Sequence, residues 1–412
     1  MHTPPLPSHA PHARAPCVAV AGLSARMLAQ SAARAGFNVV ALDIFGDRDT
    51  REYAGLWFDI GGEGLVIDRA RLHDALEHAA RLPRMLGLIV TSGLEPLADG
   101  LARGERMPRF IGNGAQAISA VRDPRRFFTM LDEAGIDHPE VRFTRPADPR
   151  GWLVKRAHGC GGVHVEPAGG EGGDGVGDDA SASPAGPAYF QRMSPGRSMS
   201  ALFVGARREV SVIGFAEQLS VACGKLPFVH AGSVGPLDLP PATAERITAA
   251  IRTIVWQTGL TGLNSIDFLL DGDTFRVLEI NARPSSTMAL YDTAWPGAWP
   301  RGLFGCHLDA CLDGDPAAVP PAPARRVAQH VVFAPRGFTA SARFSDACFV
   351  DPACHDVPLA GTRVEAGQPV CTLVVAAPTL AAVRDELERQ HARLLQRIET
   401  CHECSHDALS PR

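Results

Sequence analysis

The chain has 412 residues, of which 45% are hydrophobic and 21% charged, so it is long enough for two or three domains with their own cores. A formal net charge of −5 argues against a nucleic-acid partner, which usually requires a basic surface. No apolar run approaches the roughly 18 residues of a membrane span. The ten scattered cysteines fit reduced thiols, and we therefore expect a cytoplasmic protein.

The N-terminal quarter of the chain alternates strand and helix patterns. Residues 1–16, rich in Pro, Ala and His, predict a disordered tail, and an α/β domain follows over 17–115. Val18–Ala21 and Val39–Asp43 are apolar runs typical of strands, and Ser24–Ala35 between them is typical of a helix. This order predicts a Rossmann-like fold with a parallel sheet. The first turn is G-x-S and not G-x-G-x-x-G, which argues against a dinucleotide site.

A lysine precedes a glycine-rich turn in the middle of the chain. Asp123-Pro124 predicts a helix start, and "GWLVKRAHGCGGVHVEP" then predicts a strand with Lys155, a turn and a second strand. Only two of the 40 basic residues are Lys, and Lys is a compact charge on a flexible stem. A cation beside glycines suits phosphate, because backbone N–H groups can approach it closely. The glycines of this turn are Gly159, Gly161 and Gly162. An ordinary hairpin with an exposed lysine would show the same sequence pattern.

Low-complexity residues 167–187 predict a mobile loop, either part of a lid or an inert surface loop. Beyond it, Ala242–Thr258 predicts a helix, and Ser265–Leu270 and Thr274–Asn281 predict two strands. The sequence Asp-Gly-Asp at 271–273 joins these strands and predicts a hairpin. The hairpin would place Asp267 beside the second strand.

The second strand of this hairpin carries polar residues at alternate positions. Glu279, Asn281 and Arg283 share one face, and Leu278 and Ile280 are expected on the opposite, buried face. Carboxylate and amide oxygens are ligands that Mg²⁺ prefers. The hairpin therefore indicates a magnesium site formed by Asp267, Glu279 and Asn281, or else a solvated sheet face.

A Pro/Ala linker at 316–324 precedes a small β-rich lobe at 325–412. Its β runs are Val327–Phe333 and Arg363–Val374, and a last helix is predicted at Thr379–Arg397. The terminal "CHECSH" has one C-x-x-C, whereas a zinc site normally needs a second ligand pair, so a frayed tail is the better prediction.

The order of these elements resembles the ATP-grasp superfamily over residues 18–300. The resemblance depends on the strand Lys155, the glycine loop, Gln191 and Gly196, and the pattern D-(x)₁₁-E-x-N-x-R ending at Arg283. It implies a two-lobed α+β ATP-grasp domain at 116–320, behind the N-terminal domain and before the C-terminal lobe.

The resemblance also implies roles for individual residues. Lys155 would contact the α and β phosphates, and Arg283 would stabilise the transferred charge. A second family lysine falls near Pro124, where only Arg122 or Arg125 could substitute. The remaining implied contacts are adenine at Gln191 and Met193, ribose at Ser198, the transferred phosphoryl group at Gly159, Gly161 and Gly162, and Mg²⁺ (or Mn²⁺) at Asp267, Glu279 and Asn281. Lys225 with His230 are candidates either for the acceptor pocket or for a structural role. His158 and His164 flank the glycine loop, where they would either contact phosphate or be exposed hairpin residues.

Two longer stretches, "GLSARMLAQSAARAGFNVVALDIFGDRDT" and "DVPLAGTRVEAGQPVCTLVV", resemble the carboligase-related ATP-grasp proteins. The C-terminal lobes of these proteins are similar to that of biotin carboxylase. The subgroup includes tyramine–glutamate ligase-type proteins of methanofuran and tetrahydromethanopterin-linked cofactor biosynthesis, and relatives are usually homodimers. The resemblance implies an ATP- and Mg²⁺-dependent ligase that joins a small-molecule acid, with glutamate expected, to an amine, releasing ADP and phosphate. An ATP/bicarbonate-dependent carboxylase and a non-catalytic ATP-binding protein remain alternatives.

Overall fold

The computed structural model describes residues 15–94, 97, 100–101, 106–169, 187–319 and 322–407, with side chains as far as Cys401. Most of the predicted tail at 1–16 and of the predicted loop at 167–187 lies outside these ranges, as do the "CHECSH" side chains after Cys401. Within the described ranges, no helix combines the length and apolar character needed to cross a membrane. The cysteines whose side chains are described are all free thiols.

The N-terminal domain is the predicted parallel α/β unit. Its strands pair in the order β3-β2-β1-β4, and all three pairings are parallel. Val18–Ala21 is completely buried, because helices cover both faces of such a sheet and its strands read as continuous apolar runs. The elements are β1 (Cys17–Ala21), α1 (Arg26–Arg34), β2 (Asn38–Asp43), α2 (Arg48–Tyr53), β3 (Leu56–Asp59), α3 (Arg69–Ala80) and β4 (Met85–Val90).

A pair of helices leads into a small antiparallel sheet. Asp123 caps the second helix, since its Oδ1 accepts the backbone N–H groups of Arg125 at 2.9 Å and Arg126 at 3.2 Å, with Pro124 as the first helical residue. Trp152 and Val154 are buried on one face of the sheet, which directs Lys155 to the other. The elements are α4 (Ala115–Arg122), α5 (Pro124–Glu133), β5 (Val141–Arg142), β6 (Trp152–Arg156), β7 (Val165–Pro167) and β8 (Ala188–Arg192), with sheet order β5-β8-β6-β7.

The remaining described strands form mainly an eight-stranded sheet, in the order β13-β12-β9-β10-β11-β14-β18-β16. Its strands are β9 (Arg197–Ala206), β10 (Glu209–Cys223), β11 (Leu226–Leu237), β12 (Gly262–Asp271), β13 (Thr274–Asn281), β14 (Arg326–Phe333), β16 (Cys354–His355) and β18 (Pro369–Ala377). A separate pair, β15 (Phe338–Thr339) and β17 (Arg363–Val364), is antiparallel. The helices are α6 (Pro241–Thr258), α7 (Thr287–Ala294), α8 (Gly302–Leu312), α9 (Ala342–Phe349) and α10 (Leu380–Asp407).

The C-terminal lobe continues this sheet and does not stand apart from it. Strand β14 pairs with β11, with Gly232 opposite His330 and Gly235 opposite Val327. Two boundaries differ from the sequence prediction. The run Arg363–Val374, predicted as one β run, contains a turn between β17 and β18. The last helix, predicted to end at Arg397, continues to Asp407, so the backbone of residues 398–407 is helical and not frayed.

Arg26 on α1 joins the N-terminal domain to the C-terminal lobe. The residue is 5% exposed, and its Nε and Nη2 lie 2.9 and 3.2 Å from the two carboxylate oxygens of Asp356. Asp49 accepts the backbone N–H groups of Asp356 and Val357 at 2.9 and 3.0 Å. Although burial alone would raise the pKa of Asp356, the Arg26 charge holds it below its ordinary value.

We expect Arg26→Ala to lower the free energy of unfolding by about 3 kcal/mol, because it leaves Asp356 largely buried without its cation. Urea denaturation of the full chain measures the loss. Arg71→Ala is the matched control, since its ion pair with Asp59 is about half exposed on both sides and should contribute less than about 1 kcal/mol. Equal losses in the two variants would contradict the stabilising role of the Arg26 contact.

Candidate functional site

A cleft of about 550 Å³ lies between the small sheet and the eight-stranded sheet. The face of β6 and β8 opposite the Trp152 side forms one wall, and β10, β12 and β13 form the other. The cleft brings together ten of the eleven site residues predicted from the sequence. They are Lys155, Gly161, Gly162, Gln191, Met193, Ser198, Asp267, Glu279, Asn281 and Arg283.

The two acids face each other across the predicted hairpin. Asp267 on β12 is the register partner of Glu279 on β13. Asn281 Nδ2 donates to Asp267 Oδ2 at 3.1 Å, and Arg283 Nη2 donates to Asn281 Oδ1 at 3.1 Å. Asp267, Asn281 and Arg283 therefore form a row of side chains connected by hydrogen bonds, and Glu279 lies beside Asp267 in the strand pairing.

The expected position of Leu278 on the buried face is wrong. The pairing shifts between Asp267 and Phe268, so that Leu278 is the extra residue of a β-bulge. Val277 and Ile280 are 0% and 1% exposed and anchor the strand in the core, whereas Leu278 lines the cleft beside Glu279. After the bulge, the side chains alternate again between the cleft and the core, with Glu279 and Asn281 in the cleft and Ile280 in the core.

The two carboxyls have opposite pKa shifts. Burial, followed by the charge of Glu279, raises the pKa of Asp267 to about 7. Burial also opposes ionisation of Glu279, but four neighbouring basic groups outweigh it and hold its pKa below the ordinary value: Lys155, His164, Arg122 and Arg283. Burial lowers the pKa of Lys155, while both acids act in the other direction.

This arrangement fits a divalent cation. Asp267 Oδ1 is buried and has no hydrogen-bond partner among the described residues, which is costly unless a ligand satisfies it. Nowhere in the described part of the chain do three or more His, Cys, Asp or Glu side chains form a metal cluster. Asp267 and Glu279 would therefore need Asn281 and substrate oxygens to complete a shell, which is the usual mode of Mg²⁺ binding.

The raised pKa of Asp267 predicts a pH effect on the metal-free chain. Since the folded pKa lies above the unfolded one, Asp267 contributes stability that is complete below about pH 4 and lost as the pH rises through about 7. The free energy of unfolding, measured by thermal denaturation in EDTA, should fall between pH 5 and 8. This fall should be smaller in Asp267→Asn, by at least about 1 kcal/mol. Added Mg²⁺ should reduce the drop in the wild type alone; identical pH profiles of both chains would contradict the assignment.

The glycine loop packs against β11. Gly162 has φ +77°, and a Cβ there would lie 1.8 Å from the carbonyl oxygen of Phe228, so no other residue fits. The backbone N–H of His230 donates to Gly161 O at 2.9 Å. Gly159, a member of the same loop, does not line the main cleft; it lies on the far side of the loop, where Arg122 Nη2 donates to its carbonyl at 3.2 Å.

The structure separates the two arginines that could stand in for the lysine that the resemblance implies near Pro124. Arg122 reaches the glycine loop, and its charge lowers the pKa of Glu279. Arg125 instead lies with its guanidinium carbon 4.2 Å above the ring of Phe143. The sequence could not distinguish them, because both flank Pro124 and the contact depends on how α4 packs against the loop.

The part of the small sheet farther from the glycine loop contributes an amide and apolar side chains to the cleft. Gln191 is 1% exposed, and its Nε2 has no hydrogen-bond partner among the described residues. Met193 is 52% exposed at the rim, and Leu153 and Leu269 line the space between the sheets. Ser198 Oγ donates to Gln218 Oε1 at 3.0 Å.

Hydroxyl groups and His230 line the opposite end, and most of them were missed by the sequence reasoning. Ser92 follows β4 of the N-terminal domain, and Ser285, Ser286 and Thr287 lead into α7 directly after Arg283. The run "RPSST" resembles a helix start and could have indicated them. Burial lowers the pKa of His230 to about 4, so it is neutral at pH 7. Lys225 is exposed in the β10–β11 turn and does not line the cleft.

Residues 121–287 match the family model described as an ATP-grasp domain. The carbamoyl phosphate synthase large chain of Kocuria rhizophila is 28% identical over 246 residues, which cover 54% of this chain and 21% of that protein. The corresponding protein of Streptomyces griseus is 29% identical over 247 residues, covering 54% and 22%. This chain thus spans only about a fifth of the length of these curated relatives.

Similar folds are found among solved structures. Biotin carboxylase from Campylobacter jejuni has a TM-score of 0.66 at 15% identity and covers 89% of both chains. N5-carboxyaminoimidazole ribonucleotide synthetase from Thermus thermophilus has a TM-score of 0.64 at 17% identity, covering 92% of this chain and 98% of that one. L-amino acid ligase from Bacillus licheniformis has 0.65 at 12%, covering 94% and 98%. These matches confirm the predicted multi-lobed fold.

Proposed function

We propose that this chain, which contains an ATP-grasp domain at residues 121–287, is an ATP-dependent carboxylate–amine ligase acting through an acylphosphate. The observation that carries the proposal is the convergence of Lys155, Asp267, Glu279 and Asn281 on one cleft, large enough for a nucleotide, beside a glycine loop. No residue in this set has to serve as a covalent nucleophile, so catalysis would be positioning and charge neutralisation.

ATP would lie between the two sheets. Gln191 and Met193 would contact the base, with Leu153 and Leu269 against its faces, and Ser198 would lie near the ribose. The ammonium of Lys155 would bind the α and β phosphates, and the N–H groups of Gly161 and Gly162 would cover the transferred group. Arg122, which donates to Gly159 O, would hold the loop in this position.

Asp267, Glu279 and Asn281 would hold Mg²⁺, or Mn²⁺ in its place. The bound ion supplies charge neutralisation to the phosphoryl oxygens. The acid substrate would lie next to Arg283, where its carboxylate oxygen bonds to the γ-phosphorus and ADP leaves. The amine nitrogen then bonds to the acyl carbon, phosphate leaves and the nitrogen loses a proton. Arg283, which is 8% exposed, would face the charge that moves in both steps.

We further propose that the acid substrate is glutamate, that the amine substrate is aromatic, and that the reaction belongs to one-carbon cofactor biosynthesis. Two observations support it: the sequence resemblance to tyramine–glutamate ligase-type proteins, and the chemistry of the acceptor end. Arg283 with the hydroxyls of Ser92 and Ser285 suits a small acid with a further polar group. A cytoplasmic location and a homodimer, as in the family, complete the proposal.

A bicarbonate-dependent carboxylase is the second candidate, since the similar structures include biotin carboxylase and a carboxyaminoimidazole synthetase. ADP release distinguishes the two: the ligase needs ATP, glutamate and an aromatic amine such as tyramine, whereas the carboxylase turns over ATP with bicarbonate. Turnover with bicarbonate alone would reject the ligase. Tight ATP binding without ADP release for any acid–amine pair would favour a non-catalytic ATP-binding protein, which the absent family lysine at Pro124 would explain.

A further inference from the structure

A second cavity lies behind the glycine loop, between α4, the start of α5 and the ends of β6 and β8. Its volume is about 510 Å³, close to that of the cleft and within the range of small-molecule sites. The two cavities share no lining residue among those described. The lining residues that matter here are Ile118, Arg122, Asp123, Arg125, Phe143 and Tyr189.

The cavity combines a planar apolar surface with positive charge. The Arg125 guanidinium carbon lies 4.2 Å from the centroid of the Phe143 ring, so a flat cation and a flat ring are already stacked at its wall. Arg122 supplies a second guanidinium. Among the described lining residues the carboxylate is that of Asp123, which caps α5 by accepting two backbone N–H groups. The described lining therefore contains two guanidinium groups and one acid that is already engaged as a helix cap.

A polar donor in this region lacks an acceptor. Arg122 Nη2 donates to Gly159 O, but Arg122 Nε is buried and has no hydrogen-bond partner among the described residues. A buried donor of this kind favours a ligand that brings an acceptor. After a small shift of the Arg122 side chain, a carboxylate or phosphate group in the cavity would accept from Nε, because the guanidinium presents its donors in a fixed fork.

We propose that this cavity is an effector site for a small aromatic anion, a planar ring carrying a carboxylate or phosphate group. The ring packs against Phe143 and Ile118 beside the Arg125 plane, and the anionic group accepts hydrogen bonds from Arg122 and Arg125. Because Arg122 also holds the glycine loop, the ligand fixes this loop and tightens nucleotide binding in the cleft. Coupling is reciprocal, so nucleotide tightens the binding of the anion by the same factor.

Phenyl phosphate is the probe, titrated calorimetrically into the full chain with and without saturating ADP and Mg²⁺. We expect one equivalent to bind, more tightly with ADP present, and inorganic phosphate to bind about tenfold more weakly because it lacks the ring. Arg125→Ala should weaken phenyl phosphate binding by about tenfold. Arg126→Ala is the matched control: Arg126 is the next residue of α5, is also exposed and does not line the cavity, so binding should change less than twofold.

Three results would overturn the proposal: no saturable phenyl phosphate binding, equal effects of the two arginine variants, or loss of phenyl phosphate when ADP fills the cleft. The last would place the probe in the cleft. Phe143→Ala provides a second variant on a different element and should also weaken binding. A chain that binds phenyl phosphate but not ADP would contradict the proposed ATP-dependent function and leave the cavity assignment intact, so the two failures are distinguishable.

Discussion

Glu279→Gln should reduce ADP formation on the order of 1,000-fold, with the fold intact. The substitution keeps the shape of the side chain and removes its charge. It takes away a proposed cation ligand, and also the carboxylate charge that acts most strongly against the lowering of the pKa of the buried Lys155. ADP release by the wild type and the variant, each titrated with Mg²⁺, measures the effect, and circular dichroism checks the fold.

Asp271→Asn is the matched control for this loss. Asp271 ends β12 at the turn of the same hairpin and is exposed, so the same loss of a carboxylate there should change turnover less than about twofold. If Glu279→Gln retained more than a tenth of the activity with an unchanged Mg²⁺ requirement, Glu279 would not be a metal ligand.

Lys155→Met should weaken ATP binding and reduce turnover by about 100-fold or more. Lys155 is only 6% exposed, and a neutral side chain at this buried position would leave the phosphates of ATP without a cation. Lys155→Arg should not restore activity, because a branched guanidinium does not fit where a compact ammonium is enclosed. Calorimetric ATP binding and ADP release together separate a binding defect from a defect in the chemical step.

The other lysine of the chain is a natural control. Lys225 is exposed in the β10–β11 turn and does not line the cleft, so Lys225→Met should leave both ATP binding and turnover within about twofold of wild type. A comparable loss in both variants would show that net charge, and not the position of Lys155, controls nucleotide binding.

Local patterns predicted the main backbone elements that carry the candidate site. The hairpin at 271–273, the strand with Lys155 and the start of α5 at Pro124 each depend on a few neighbouring residues, and the structure confirms all three. The bulge at Leu278 was not predictable from alternation, since alternation assumes that no extra residue is inserted.

Contacts between distant segments were not predictable. Nothing in the sequence indicates that Arg122 reaches the carbonyl of Gly159, or that Asn113 donates to Asn264 and to the carbonyl of Ala282 and so fixes the end of β13. Both depend on tertiary packing, for which a single sequence carries no local signal.

Continuity of the eight-stranded sheet also limits how the chain can be divided. A protein cut at the Pro/Ala segment would lose β14, and β11 would become an unprotected edge along the stretch that β14 covers, Gly232–Gly235. Such edges pair with other chains, so the truncated protein should aggregate even though the catalytic residues proposed above all precede the cut. Functional dissection of this molecule therefore requires point substitutions in the whole chain.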